Sequence, residues 1–165
     1  MIEDSMNVTG GSARVREDAL VVTVTLRNRS DRTMYAYEEA RKIQYDAATK
    51  RLRLLFHDHE ADPVVMQHLL RPHIKEIPAG EEAEVQVRLP HEMRRLRSAA
   101  ESARLAASGD ASMYDVQRLA DAENVDIEVA IADTPFYPTV GDDSMGAELR
   151  AWAPDTLSTS MPIEK

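Results

Sequence analysis

A chain of 165 residues is one domain's worth of protein with room for an appendage; a domain of that size buries roughly 70% of the surface its unfolded chain exposes. Hydrophobic residues at 43% and charged residues at 30% exclude wholesale disorder and a membrane span. The formal net charge of −9 argues against nucleic acid as the partner, because gripping phosphate needs a positive field.

Cysteine is absent, which excludes disulfides, thiolate zinc sites, iron–sulfur clusters and a cysteine nucleophile. The opening MIEDSMN carries acids where a secretory leader would carry Lys or Arg, and no apolar run follows, so the expected location is cytoplasmic. Arginine outnumbers lysine and alanine is abundant, a bias of the kind found in high-GC bacterial genes.

The clearest segment is 19–28, ALVVTVTLRN. Leu20, Val22, Val24 and Leu26 fall on one face at period two, and the unbroken β-branched run 21–25 disfavours a helix. Upstream, 13–16 is a short polar-edged strand that Glu17 and Asp18 turn back, so the pair reads as an edge strand and a core strand. Residues 33–37 resume a β pattern after a polar break, and 42–45 with 51–56 flank a short loop as a second hairpin. Ile77-Pro78-Ala79-Gly80 suits a type I turn with proline second and glycine fourth, and Val85, Val87 and Leu89 alternate behind it.

Character changes at Pro90. Strong helix formers run to Ala107, with Met93, Leu96, Ala100, Ala103 and Ala107 as a narrow apolar stripe, and Gly109 stops them. A second helix is expected over 113–122 on Met113, Val116, Leu119 and Ala120, giving an αα-hairpin. Period two returns over 124–132 with Val125, Ile127, Val129 and Ile131. Beyond Thr139 the chain reads as largely irregular, docked through Trp152.

Short strands separated by turn signals suggest a β-sandwich. The stretches ALVVTVTLRNRSDRT and EIPAGEEAEVQVRLP resemble the early core strand and a later hairpin half of immunoglobulin-like and fibronectin-III-like domains, with VDIEVAIAD as the closing strand. The resemblance is to a fold group and carries no catalytic residue across. The expected architecture is therefore mainly β. It comprises an immunoglobulin-like antiparallel β-sandwich over 12–138, an αα-hairpin inserted at 91–122, and a partly irregular C-terminal tail over 139–165.

Three features are candidates for function. His57, His59, His68 and His73 lie in one weakly patterned segment with Asp58, Glu60 and Asp62, and His-x-His puts both rings on one side of a strand, as a metal pair requires. Phe136 and Tyr137 sit between prolines in 133–138, as an anchor for a partner or a plug for the sandwich end. Arg94, Arg95, Arg97 and Arg104 give the insert a basic side, which Glu92 and Glu101 can neutralise at helical spacing. Gly10, Gly11 and Ser12 read as a loop. No P-loop, dinucleotide turn, nucleophile elbow or His-Glu-x-x-His helix occurs. The expectation is a non-enzymatic interaction or assembly module without a cofactor, which binds another protein or a copy of itself. Its contact surfaces would be the sheet edge near 13–16 and the insert. The competing class is a metal-dependent protein built on the histidine segment.

Overall fold

Alternating apolar residues can be buried only if each strand finds lateral partners for its backbone and a facing layer for its inner side chains. The computed structural model describes residues 2–57, 73–134 and 155–165. A turn of helix, α1 (Ile2–Ser5), leads into β1 (Met6–Val15), β2 (Leu20–Asn28), β3 (Met34–Tyr37), β4 (Lys42–Asp46) and β5 (Arg51–Phe56). After these come β6 (Ile74–Ile77), β7 (Glu82–Leu89), β8 (Glu92–Leu96), α2 (Ala99–Ala106) and β9 (Tyr114–Arg118). A 3₁₀ turn (Leu119–Asp121) then leads to β10 (Asn124–Ala132) and β11 (Asp155–Pro162). The described chain is mainly β, as the period-two patterning requires.

One sheet has the order β1-β2-β7, antiparallel throughout. In the other, the order is β4-β5-β10-β3-β6 and β11 also pairs with β10. Within that sheet β10 is the hub. One of its edges carries β11 from Asn124 to Ile131, while the other carries β5 in parallel as far as Val129 and then β3 at Ile131 and Ala132. The inward residues of both sheets share one buried cluster. It includes Leu20, Val22, Val24 and Leu26 of β2, Val85 and Leu89 of β7, Leu52, Leu54 and Phe56 of β5, and Val125, Ile127, Val129 and Ile131 of β10. Outward residues of β5 and β10 pair across the strands: Arg51 grips Asp126 at 2.9 and 2.6 Å, and Arg53 grips Glu128 at 3.1 and 2.7 Å.

Several expectations are corrected. The αα-hairpin at 91–122 is a two-stranded ribbon, β8 paired with β9, whose connection holds the single helix α2. A helix over 113–122 would need a surface to cover its stripe, and only Leu119 of that stripe is buried, whereas Tyr114 and Val116 have cross-strand partners in Leu96 and Arg94. Residues 155–162, expected to be irregular, form β11, and Ile163 enters the core. The segment 124–132 is thus not the closing strand. Gly10, Gly11 and Ser12 lie within β1, with a register shift between Val8 and Gly10. The turn after β6 is displaced by one residue: Glu81 N–H donates to the Pro78 carbonyl, and Gly80 takes the third position at φ +74°, which type II geometry reserves for glycine.

Two polar devices fix the layers. Asn28, fully buried at the end of β2, donates from Nδ2 to the carbonyls of Arg32 (2.7 Å) and Ile77 (2.8 Å). Its Oδ1 accepts from the Ser30 N–H (2.9 Å) and hydroxyl (2.6 Å), so one amide joins β2, the following loop and β6 of the other sheet. Where β1 meets the C-terminal segment, Val15 N–H donates to the Glu164 carbonyl and Glu164 N–H to the Ala13 carbonyl, both at 2.8 Å. Nearby, a Cβ on Gly11 would lie 2.9 Å from the Thr23 carbonyl oxygen and 2.6 Å from Met161 Cε, so the close approach of β1 and β11 requires glycine there.

Replacing Asn28 by alanine should destabilise the fold by about 2 kcal/mol in urea unfolding, because it strands the buried Ile77 carbonyl of β6 and the part-buried polar groups of Ser30 and Arg32 in the loop; a loss below about 0.5 kcal/mol would refute this account of Asn28. Gly11→Val should cost about 1–3 kcal/mol through overpacking against β11 and the β2 backbone, read as a lowered unfolding midpoint.

Candidate interaction site on the β8–β9 arm

Once the two sheets are closed, what remains exposed marks where a partner can act. Leu96 (59% exposed), Met113 (63%), Tyr114 (49%) and Val116 (56%) are the exposed large apolar side chains among the described residues, and all four belong to the arm formed by β8, α2 and β9. Register explains their placement. Glu92 faces Arg118, Arg94 faces Val116 and Leu96 faces Tyr114 on one side of the ribbon, while Met93 with Gln117 and Arg95 with Asp115 occupy the other. The second side looks toward the body: Met93 packs on the core, and Gln117 Nε2 donates to the Tyr45 carbonyl at 3.3 Å. The first side, with Leu96, Tyr114 and Val116, faces away.

The arm is anchored at its root and held by polar contacts beyond it. Leu119 is buried, Ala120 N–H donates to the His91 carbonyl, and Lys165 Nζ donates to the carbonyls of Ala120 and Ala122. Helix α2 has no buried residue. Its N-terminus is closed by a capping box: Ser98 Oγ accepts from Glu101 N–H at 3.2 Å, and the Glu101 carboxylate lies 3.3 Å from that hydroxyl. Arg95 clamps the Glu101 carboxylate with bonds of 3.2 and 2.8 Å and also reaches Asp115 at 3.6 Å. Arg97 binds Asp110 at 3.1 Å and the Ser112 carbonyl at 2.9 Å. Of the basic side foreseen from sequence, Arg95 and Arg97 are thus neutralised, by residues outside helical spacing from them. Arg94 makes no ion pair or hydrogen bond among the described residues.

A groove of about 550 Å³ runs between the arm and the outer edge of β4. Ile43, Gln44 and Tyr45 line it on the β4 side, Met93 to Leu96 and Gln117 on the arm side. Burial pushes the Tyr45 phenol up from its ordinary value; Asp121, Glu123 and Asp46 push the same way and Lys50 opposes them, so the hydroxyl stays a neutral donor.

The sequence candidates fall elsewhere. His57 is buried at the end of β5 with Nε2 3.9 Å from Glu128, whereas His73 is largely exposed, 4.0 Å from Glu38. His59, His68, Phe136, Tyr137 and Trp152 lie outside the described residues. Among the described residues, no group of three or more His, Asp or Glu side chains could hold a metal ion, and no helix is long and apolar enough to cross a membrane. The sheet edge at 13–15 is covered by the hydrogen bonds of Glu164. Sequence reasoning did not find the apolar face of the arm. The signal was the alternation Tyr114-Asp115-Val116-Gln117, which a helical reading of the same residues hides.

Comparison with protein-family models, curated proteins and solved structures finds no match to this chain.

The Arg95 clamp and the Ser98 hydroxyl bring Glu101 down from 4.5 to about 2, with partial burial opposing them. A lowered carboxyl pKa stabilises the arm tip above the ordinary glutamate range, and that contribution fades as pH falls toward 2. Carboxyl-detected NMR titration should find the Glu101 midpoint near 2 and, in Arg95→Gln, a midpoint returned toward 4.5; an unshifted midpoint in the intact protein would remove the clamp from the account.

Proposed function

We propose that this chain is a non-enzymatic protein–protein interaction module of the immunoglobulin-like or fibronectin-III-like sandwich type, with the β8–β9 arm as its contact surface. The strand orders support the sandwich reading. β1-β2-β7 on one side and β3-β10-β11 on the other follow the first-second-fifth and third-sixth-seventh grouping of such sandwiches, with the β4–β5 hairpin added on the same edge of β10 as β3.

The observation that carries the functional reading is the concentration of exposed apolar side chains on the arm. Single exposed leucines need no explanation, but a contiguous apolar face on a projecting ribbon is the mark of an interaction surface. A two-stranded ribbon is marginal by itself and gains from being covered. Tyrosine beside arginine and branched aliphatics is also the composition enriched in the energetic centres of protein interfaces.

A Leu96→Ser/Tyr114→Ser/Val116→Ser variant alters only half-exposed or exposed side chains and should keep the unfolding midpoint of the parent. Affinity capture from extracts of the source cell should recover a partner with the parent and lose it with the variant. Equal recovery with both would exclude the arm as the contact.

A further inference from the structure

We propose that the outer face of the β8–β9 ribbon pairs two copies of this chain, stacked about a two-fold axis that runs along the ribbon. This deepens the reading of the arm as a contact surface and rests on it.

Register defines the face. Arg97 N–H donates to the Met113 carbonyl, so 97/113, 95/115 and 93/117 are the hydrogen-bonded pairs. The alternate pairs, 92/118, 94/116 and 96/114, are the non-hydrogen-bonded ones, whose side chains stand closest together. They give the outer face three rows: Glu92 with Arg118 at the root, Arg94 with Val116 in the middle, and Leu96 with Tyr114 toward the tip. Arg95 and Asp115 point to the opposite side, and the Arg95 clamp ties the first turn of α2 to that side through Glu101. Leu96, Tyr114 and Val116 are consequently left about half exposed or more.

Charge selects the occupant and the axis. The chain carries −9, but residues 92–118 hold five arginines against four carboxylates, so a second copy can approach the arm without like-charge repulsion. Rotation about an axis along the ribbon lays β8 of one copy over β9 of the other. Glu92 then meets Arg118 of the second copy and Leu96 meets Tyr114 of the second copy, each contact occurring twice by symmetry. Within one chain these charges are loosely held. Arg118 lies 3.9 Å from Glu92 and 3.6 Å from Asp121, both beyond hydrogen-bond length, and all three side chains are mostly exposed. Arg94, without an ion pair or hydrogen bond among the described residues, lies over Val116 of the second copy with the ring of Tyr114 beside it. Its stem covers apolar surface there and its guanidinium meets an aromatic face. A two-fold across the ribbon at its middle row would instead set Arg94 against its own copy and the charged row on the apolar one. The lengthwise axis matches row to row by symmetry alone.

Sedimentation of the purified full chain over a concentration series tests this. The parent should pass from monomer to dimer with a Kd on the order of 10 μM, because six residues a side is a small contact beside the roughly 20–30 of a standard interface. Glu92→Arg and Arg118→Glu should each weaken the dimer about tenfold or more, since each sets like charges opposite one another. Mixed in equal amounts, the two variants should regain a dimer of parental strength, because their charges are then opposite at both symmetry-related contacts. That recovery also shows both variants to be folded. The Leu96→Ser/Tyr114→Ser/Val116→Ser variant should stay monomeric. A parent chain that is monomeric up to about 500 μM, a dimer indifferent to either charge reversal, or a mixture no tighter than its components would each overturn the proposal. If the parent is monomeric while the triple serine variant still loses a captured partner, the arm reading stands and the two-fold pairing falls.

Discussion

The molecule depends on β10 being satisfied on every side at once. Its inner face places Val125, Ile127, Val129 and Ile131 in the shared core, and its two edges are filled by β11, β5 and β3. A strand so placed has no unpaired backbone and no exposed apolar side chain, so it can be extended, apolar and stable together. Its outward Asp126 and Glu128 are held by arginines two residues further back on β5 in register, which lets that face stay polar without like-charge repulsion. Fixing β10 also fixes where β3, β5 and β11 lie, and through them the loops that carry the arm and the C-terminal bridge to β1.

The arm obeys a different balance. It contributes Met93 and Leu119 to the interior, and beyond that root its order comes from a capping box, ion pairs and a two-stranded ladder. Such contacts are individually weak where water competes. Nothing in the arm resembles the burial that holds β2 or β10. A segment of this kind is the natural place for function, since it can adjust to a partner without disturbing the sheets beneath it.

The electrostatic layout supports a division of labour. The exposed edge strand β7 carries Glu82, Glu84 and Arg88, charges of the kind that discourage edge-to-edge pairing. The edge of β1 is closed by Glu164, with Arg14 pairing its carboxylate at 2.9 Å. Among the described residues, β4 ends its sheet beside the cleft that the arm borders.

The strands themselves were legible because period two is a local property: 124–132, the hairpin around residues 47–50 and the core face of β2 follow from the order of residues alone. Composition likewise determined that no thiol chemistry operates here. What only the tertiary structure decided were the outcomes that hang on distant partners. Residues 92–118 could satisfy their backbone as helices or as a ribbon, and the body chose the ribbon by burying Met93 and Leu119 while leaving the rest to pair across. Residues 155–162 carry too few large apolar side chains to announce a strand, and they became one because β10 offered an unfilled edge. The groove has no sequence signature at all, since Ile43 and Arg94 meet only when the two sheets and the arm are assembled.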